Sequence, residues 1–185
     1  MQDEFFKKYF KLIKSNLDHT KIDDLKKVAQ LTIQTSDRGN KVIIAGNGGS
    51  AAMASHVSVD FTKAAGIRAV NFNEADLLTC FANDYGYERV FEKAVEFYGD
   101  NGDLLILISS SGSSINVVNA AKRAKELNMS VITFSGFNKD NALQKLGDVS
   151  FWVDSKAYNI VEMTHHIWLV AIVDYIIGDI EYSAS

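Results

Sequence analysis

With 185 residues, 47% of them hydrophobic, the chain is long enough to build one sizeable core, and no shift in composition marks a second domain. A net charge of −4, with the 19 basic residues scattered along the chain, excludes the clustered basic stripe of a nucleic-acid surface. The single cysteine, Cys80, excludes an intrachain disulfide and any CxxC motif; it is expected as a small core residue in a reducing compartment.

The amino terminus MQDEFFKK is too polar and acidic for a signal peptide, so a soluble, cytoplasmic protein with no membrane partner is expected. Phe5, Phe6, Tyr9, Phe10, Ile13 and Leu17 recur at helical spacing, and Ile22, Leu25, Val28, Ala29 and Ile33 do so again after a turn near His19. Two helices therefore open the chain, and Lys7, Lys8, Lys11 and Lys14 make a solvated face on the first. KVIIAG is a short apolar run without alternation, which suits a strand buried on both faces of a parallel sheet. The pattern then predicts a strand over 41–45, a helix over 50–64, a short strand over 68–72, and helices over 75–85 and 88–98. A strand over 103–108, a helix over 113–127, a strand over 130–134, a short helix over 140–146 and a strand over 150–153 follow. A long apolar helix over 158–177 closes the chain; its longest apolar run, IWLVAIV with YII after Asp174, falls short of the ~20 residues of a membrane span. Strands alternating with helices indicate an α/β sandwich of three layers around a mostly parallel five-stranded sheet, flavodoxin-like in type, with ligands bound at the carboxyl ends of the strands.

Two strand-to-helix turns carry the chemistry. In IIAGNGGSAAMASH, Gly46, Gly48 and Gly49 permit a sharp turn and close approach to a ligand, and Ser50 is placed to cap the next helix. In ILISSSGSSINVV, Ser109, Ser110, Ser111, Ser113 and Ser114 surround Gly112 just before a helix. A helix amino terminus offers unpaired N–H groups and partial positive charge, so small hydroxyl residues around it predict a phosphate site. Neither turn is a nucleotide motif, for there is no GxxxxGK[ST] and GNGGSAA lacks the GxGxxG spacing.

GNGGSAA, ISSSGSS, FANDYGY, the two leading helices and the closing helix together resemble the sugar isomerase (SIS) domain, in the branch that contains phosphoheptose isomerase. The resemblance implies a single SIS domain over 1–185, with helices in 1–38 used in a homotetramer and the α/β core with its closing helix in 39–185. It implies a sugar phosphate as ligand and interconversion of sedoheptulose 7-phosphate with an aldoheptose 7-phosphate for surface polysaccharides. It assigns Ser109, Ser110, Ser111 and Ser114 to the phosphate, Asn47, Gly48, Gly49 and Ser50 to the turn that contacts the sugar, and Asp84 to the lining. Aldose–ketose isomerisation moves a proton between neighbouring carbons through an enediol, so a base and an acid must flank the substrate. Asp60 stands where the family has a glutamate, Glu162 where it has a glutamine, and His165 matches a second histidine; these three are the expected catalytic set. The family's catalytic histidine falls on Val170, or on Leu169 in a register shifted by one. The arginine of its substrate loop falls on Ala64, with Lys63 and Arg68 nearby. No cofactor is required, but some members hold zinc, and His56, Asp60, Glu162 and His166 are the candidate ligands here. The alternative is a non-catalytic phosphosugar- or partner-binding module, similar to the replication-initiator-associating proteins of the same branch.

Overall fold

A computed structural model of the protein describes residues 2–182. Two helices, α1 (Gln2–Asp18) and α2 (Ile22–Asp37), precede β1 (Val42–Gly46), α3 (Gly49–Lys63) and β2 (Ala69–Asn71). Then come α4 (Ala75–Tyr85), a single 3-10 turn at Tyr87–Arg89, α5 (Val90–Tyr98), β3 (Leu104–Ser109) and α6 (Ile115–Glu126). The chain ends with β4 (Ser130–Ser135), a 3-10 turn at Gln144–Leu146, β5 (Val149–Trp152) and α7 (Tyr158–Ile177). The helix expected over 88–98 thus starts as a 3-10 turn, and that expected over 140–146 is reduced to one.

All four strand pairings are parallel, in the order β2-β1-β3-β4-β5. Every residue of β1 and β3 is buried, which is why both read as unbroken apolar runs rather than alternating ones. Alternate residues serve opposite layers. Val42, Ile44, Leu104, Ile106 and Ile108 pack with Val28 of α2, Met53, Val57 and Phe61 of α3, and Leu169 and Ile172 of α7. Ile43, Ala45, Leu105 and Leu107 pack with Val90, Phe91 and Val95 of α5 and Val117, Ala120 and Ala121 of α6. Phe134 and Phe151 stack at 4.7 Å in the first layer. Truncating a buried leucine, isoleucine or phenylalanine among these to alanine costs about 2–5 kcal/mol, so each layer is a large part of the stability.

By length and composition α7 is apolar enough to cross a bilayer, more so than its interrupted run suggests. Here it lies along the first layer with Ile160, Val161, Thr164, His165, Trp168, Leu169, Ile172 and Val173 buried. It stops at Gly178, whose φ of 88° is cheap for glycine and whose N–H reaches the Asp174 carbonyl at 2.9 Å. Cys80 is exposed on α4 rather than in the core. An apolar stripe on a short helix is satisfied here by Leu77, Leu78 and Phe81, which leaves Cys80 on the outer face.

Candidate functional site

From β1 the chain crosses to β2 on one side, and from β3 it proceeds to β4 on the other. The carboxyl ends of β1 and β3, paired in register to Gly46 and Ile108, therefore form a switch point where the two following turns diverge. The GNGGS turn leads to α3 in one layer, and the serine-rich turn leads to α6 in the other. Between them is a cavity of about 110 Å³ lined by Asn47, Ser50, Ile108, the serines 109, 110, 111 and 114, Tyr158 and Glu162.

The serine-rich turn is held from several sides. The Gly112 N–H donates to the Ser109 carbonyl (2.9 Å), Gly136 N–H to the Ser110 carbonyl (3.0 Å) and Leu143 N–H to the Gly112 carbonyl (2.9 Å). Ser109 Oγ donates to Ser114 Oγ at 3.1 Å. Ser109 and Ser110 are buried and Ser111 and Ser114 half-buried, at the point where α6 begins. Hydroxyls around a helix amino terminus suit a phosphate. Ser50 is not the cap expected of it. Gly48 occupies the N-cap position of α3, and Ser50, buried one step inside the helix, instead lines the cavity.

Glu162 brings the one carboxylate of the cavity. Its carboxyl lies against Gly49, where a Cβ would stand 2.3 Å from Oε2, and Ser110 Oγ donates to Oε1 at 3.4 Å. Glycine at 49 is what lets this carboxylate reach the first turn of α3, whose dipole favours an anion. Asn47 is paired with Asn116 of α6: Asn47 Nδ2 donates to Asn116 Oδ1 (3.0 Å) and Asn116 Nδ2 to Asn47 Oδ1 (2.9 Å). The Tyr87 phenol donates to the same Asn47 Oδ1 at 2.9 Å.

Three expected site residues lie elsewhere. His165 is fully buried beside Phe134 and Trp168, with Nε2–H donating to the Ser135 carbonyl (2.9 Å) and Nδ1 without a partner. Burial pushes its pKa down to about 4, against a smaller upward pull from that carbonyl. It is a neutral core histidine that does not line the cavity, because its place on α7 turns it onto β4, while Glu162 turns to the switch point. Asp84 is exposed in the last turn of α4, bonded to Asn83 Nδ2 at 2.8 Å, and is also outside the lining. Asp60 lies ten residues beyond Ser50, roughly 15 Å along α3.

The four candidate zinc ligands do not converge. Glu162 is in the cavity, whereas His56, Asp60 and His166 form a row between α3 and α7: His56 Nδ1 meets His166 Nε2 at 2.8 Å and His56 Nε2 meets Asp60 Oδ2 at 3.1 Å. Both ring nitrogens of His56 are engaged by side chains. Burial, then the neighbouring His56, holds the His166 pKa below the usual range, with Asp60 pulling the other way. Among the described residues no three His, Cys, Asp or Glu side chains come together as a set for a metal ion. The residues present do not fit zinc.

Tyr158, Asn116 and Tyr87 were not anticipated from the sequence. Asn116, two residues past the serine run, is the one a signal pointed to, since a buried asparagine at a helix start needs partners. Tyr158 opens α7, edge-on to Phe137 at 4.9 Å, and nothing in the local pattern marks it.

A family model described as SIS domain matches residues 4–136. The phosphoheptose isomerase of Helicobacter pylori is 34% identical over 185 aligned residues, covering 95% of this chain and 96% of the relative. That of Aliarcobacter butzleri is 36% identical over 149 residues, covering 77% and 78%. Among solved structures, phosphoheptose isomerase from Neisseria gonorrhoeae superposes with a TM-score of 0.86 at 29% identity, over 94% of this chain and 95% of that one. The Francisella tularensis structure gives the same TM-score at 24% identity, a likeness of fold, over 95% of both chains.

Proposed function

Because the chain belongs to the phosphoheptose isomerase family of SIS-domain proteins, we propose that it is an aldose–ketose isomerase acting on a heptose phosphate. The reaction interconverts sedoheptulose 7-phosphate and an aldoheptose 7-phosphate used for surface-polysaccharide precursors. One observation carries the proposal. A cavity walled by the serine-rich turn also contains a carboxylate, Glu162, so an anchor for phosphate and a group able to move a proton share one small space.

The serines and the start of α6 bind the phosphate, and Asn47 and Ser50 meet the sugar. Glu162 takes the proton from the carbon beside the carbonyl and returns one to the neighbouring carbon, while a proton passes from the adjacent hydroxyl oxygen to the carbonyl oxygen, with an enediol between. His165 is excluded from this role by its burial and its backbone partner. Asp60 lies on the far side of His56 from the cavity, and none of His56, Asp60 and His166 lines it, so we assign this row to a sugar held by a neighbouring subunit.

An assembly of that kind is supported by α1. Phe5 (64% exposed), Phe6 (58%) and Phe10 (64%) stand on its outer face, an apolar surface that a second copy would cover. We expect a homotetramer.

The test is to incubate the protein with sedoheptulose 7-phosphate and follow aldose formation. In parallel, sugar phosphates should raise the melting temperature, and replacing both Ser111 and Ser114 by alanine should abolish the shift. A folded protein that is stabilised by sugar phosphates but forms aldose from no ketose phosphate is a binding module, not an isomerase. A double variant stabilised as much as the native chain places the phosphate elsewhere.

A further inference from the structure

We infer that Tyr87 is a positioning residue which, with Asn116, fixes Asn47 as a hydrogen-bond donor to an oxygen of the sugar; this rests on the cavity being the sugar-phosphate site. An asparagine amide on a site wall can present either its oxygen or its N–H to a ligand, and the two recognise opposite partners. A reciprocal pair of amides does not decide between them, because turning both over restores the same two bonds.

One group outside the pair breaks that tie, and a second holds the choice it makes. The Val117 N–H, shared with the Ser114 carbonyl, donates to Asn116 Oδ1 at 3.0 Å. A backbone N–H cannot be turned over, so the atom of Asn116 facing it is the oxygen. Asn47 must then offer Nδ2 to that oxygen and Oδ1 to Asn116 Nδ2. The Tyr87 phenol takes the second lone pair of Asn47 Oδ1 at 2.9 Å. Both acceptor positions of Asn47 are now filled, and one of its two N–H groups is engaged. What remains for the cavity is a single N–H.

Asn47 can therefore bind only a ligand atom with a lone pair, a sugar hydroxyl or carbonyl oxygen. Tyr87 comes from the 3-10 turn after α4, at 58% exposure, so this donor is set by a segment that does not itself line the cavity. Asn116 is nearly buried, at 2%. The phenol is the adjustable member. Removing it frees a lone pair on Asn47 Oδ1, lets the amide accept as well as donate, and loosens its hold on one orientation.

The experiment compares the native tetramer or monomer, as purified, with Tyr87→Phe by calorimetric titration against two probes, sedoheptulose 7-phosphate and inorganic phosphate. Losing one hydrogen bond that orders a ligand contact corresponds to about fivefold to tenfold in affinity. Tyr87→Phe should weaken the sugar phosphate by that factor while inorganic phosphate, held by the serines, changes less than about twofold. Its unliganded melting temperature should match that of the native chain, since the phenol sits at the surface. If both probes weaken equally, Tyr87 shapes the site as a whole and the inference fails. If neither weakens, Asn47 is fixed without it and the inference fails again. If the native protein binds inorganic phosphate but not the sugar phosphate, or binds neither, the sugar-phosphate assignment falls first and takes this inference with it.

Discussion

Gly112→Ala tests whether the serine-rich turn is built as described. Gly112 has a φ of 63°, and a Cβ there would stand 2.1 Å from Asn141 Oδ1 and 2.2 Å from Cγ. Left-handed backbone costs a non-glycine residue roughly 1–2 kcal/mol. The contact adds more, because Asn141 is 4% exposed and cannot swing away freely. Its Nδ2 donates to Ser135 Oγ (3.0 Å) and the Asn138 carbonyl (2.9 Å), and its Oδ1 accepts from Gln144 N–H (2.9 Å). Displacing it breaks at least two of these bonds and leaves buried groups unpaired, at about 1–2 kcal/mol each. The sum is about 3–6 kcal/mol, or a fall in melting temperature of about 9–18 °C for a chain of this size. Gly178→Ala is the control: its φ of 88° carries the same strain but its Cβ meets nothing within 4 Å, so a fall of only about 3–6 °C is expected. Thermal unfolding followed by circular dichroism measures both, and Gly112→Ala should also lose its stabilisation by phosphate. If the two variants melt within about 2 °C of each other, Asn141 is not the clamp it is taken to be.

His165 makes stability sensitive to acid. Its pKa is lowered to about 4 in the folded chain, so the unfolded chain binds the proton first, and stability is full above about pH 6.5 and lost as pH falls toward 4. By pH 5 the loss from this group is about 2 kcal/mol. Urea unfolding at pH 7 and pH 5 should show that loss in the native chain and not in His165→Gln; equal losses in the two would remove His165 as its source. The assembly is checked by light scattering at micromolar concentration, where a tetramer is expected and Phe6→Glu with Phe10→Glu should dissociate it. A native monomer would leave the row of His56, Asp60 and His166 with no bound sugar to serve.

Much of the fold was legible because its strands are buried on both faces. KVIIAG and LLILI have no alternation, and that absence is itself the mark of a central parallel strand between two helical layers. The two turns that wall the cavity were legible for a related reason, since glycines and serines clustered between a strand and a helix mark a sharp, capped turn at the strand end. The failures fall where orientation around a helix decides the outcome. Glu162 and His165 are three residues apart on α7, close enough to suggest one shared face, yet one reaches the switch point and the other enters the core against β4. Cys80 fails in the same way on α4. A helix apolar on nearly all sides has no periodicity to say which side meets which neighbour. Tyr87 and Asn116 were missed because their partnership with Asn47 spans 40 and 69 residues, and no local spacing encodes it.

The sheet also acts as a partition between two kinds of work. The serine-rich turn feeds α6 on one face, while Ser50 and Glu162 belong to α3 and α7 on the other. Side chains proposed to grip a phosphate and side chains proposed to handle protons are thus rooted in separate packing layers, meeting only above the strand ends. Substitutions that repack α3 against α7 can retune or abolish chemistry without loosening the grip, and changes around α6 can do the reverse. Such a scaffold lets ligand recognition outlive catalysis, or acquire a new reaction while keeping the same phosphorylated ligand. The Asn47–Asn116 pair and the Ser110–Glu162 bond are the ties between the layers, and Tyr87 buttresses the first of them from outside both.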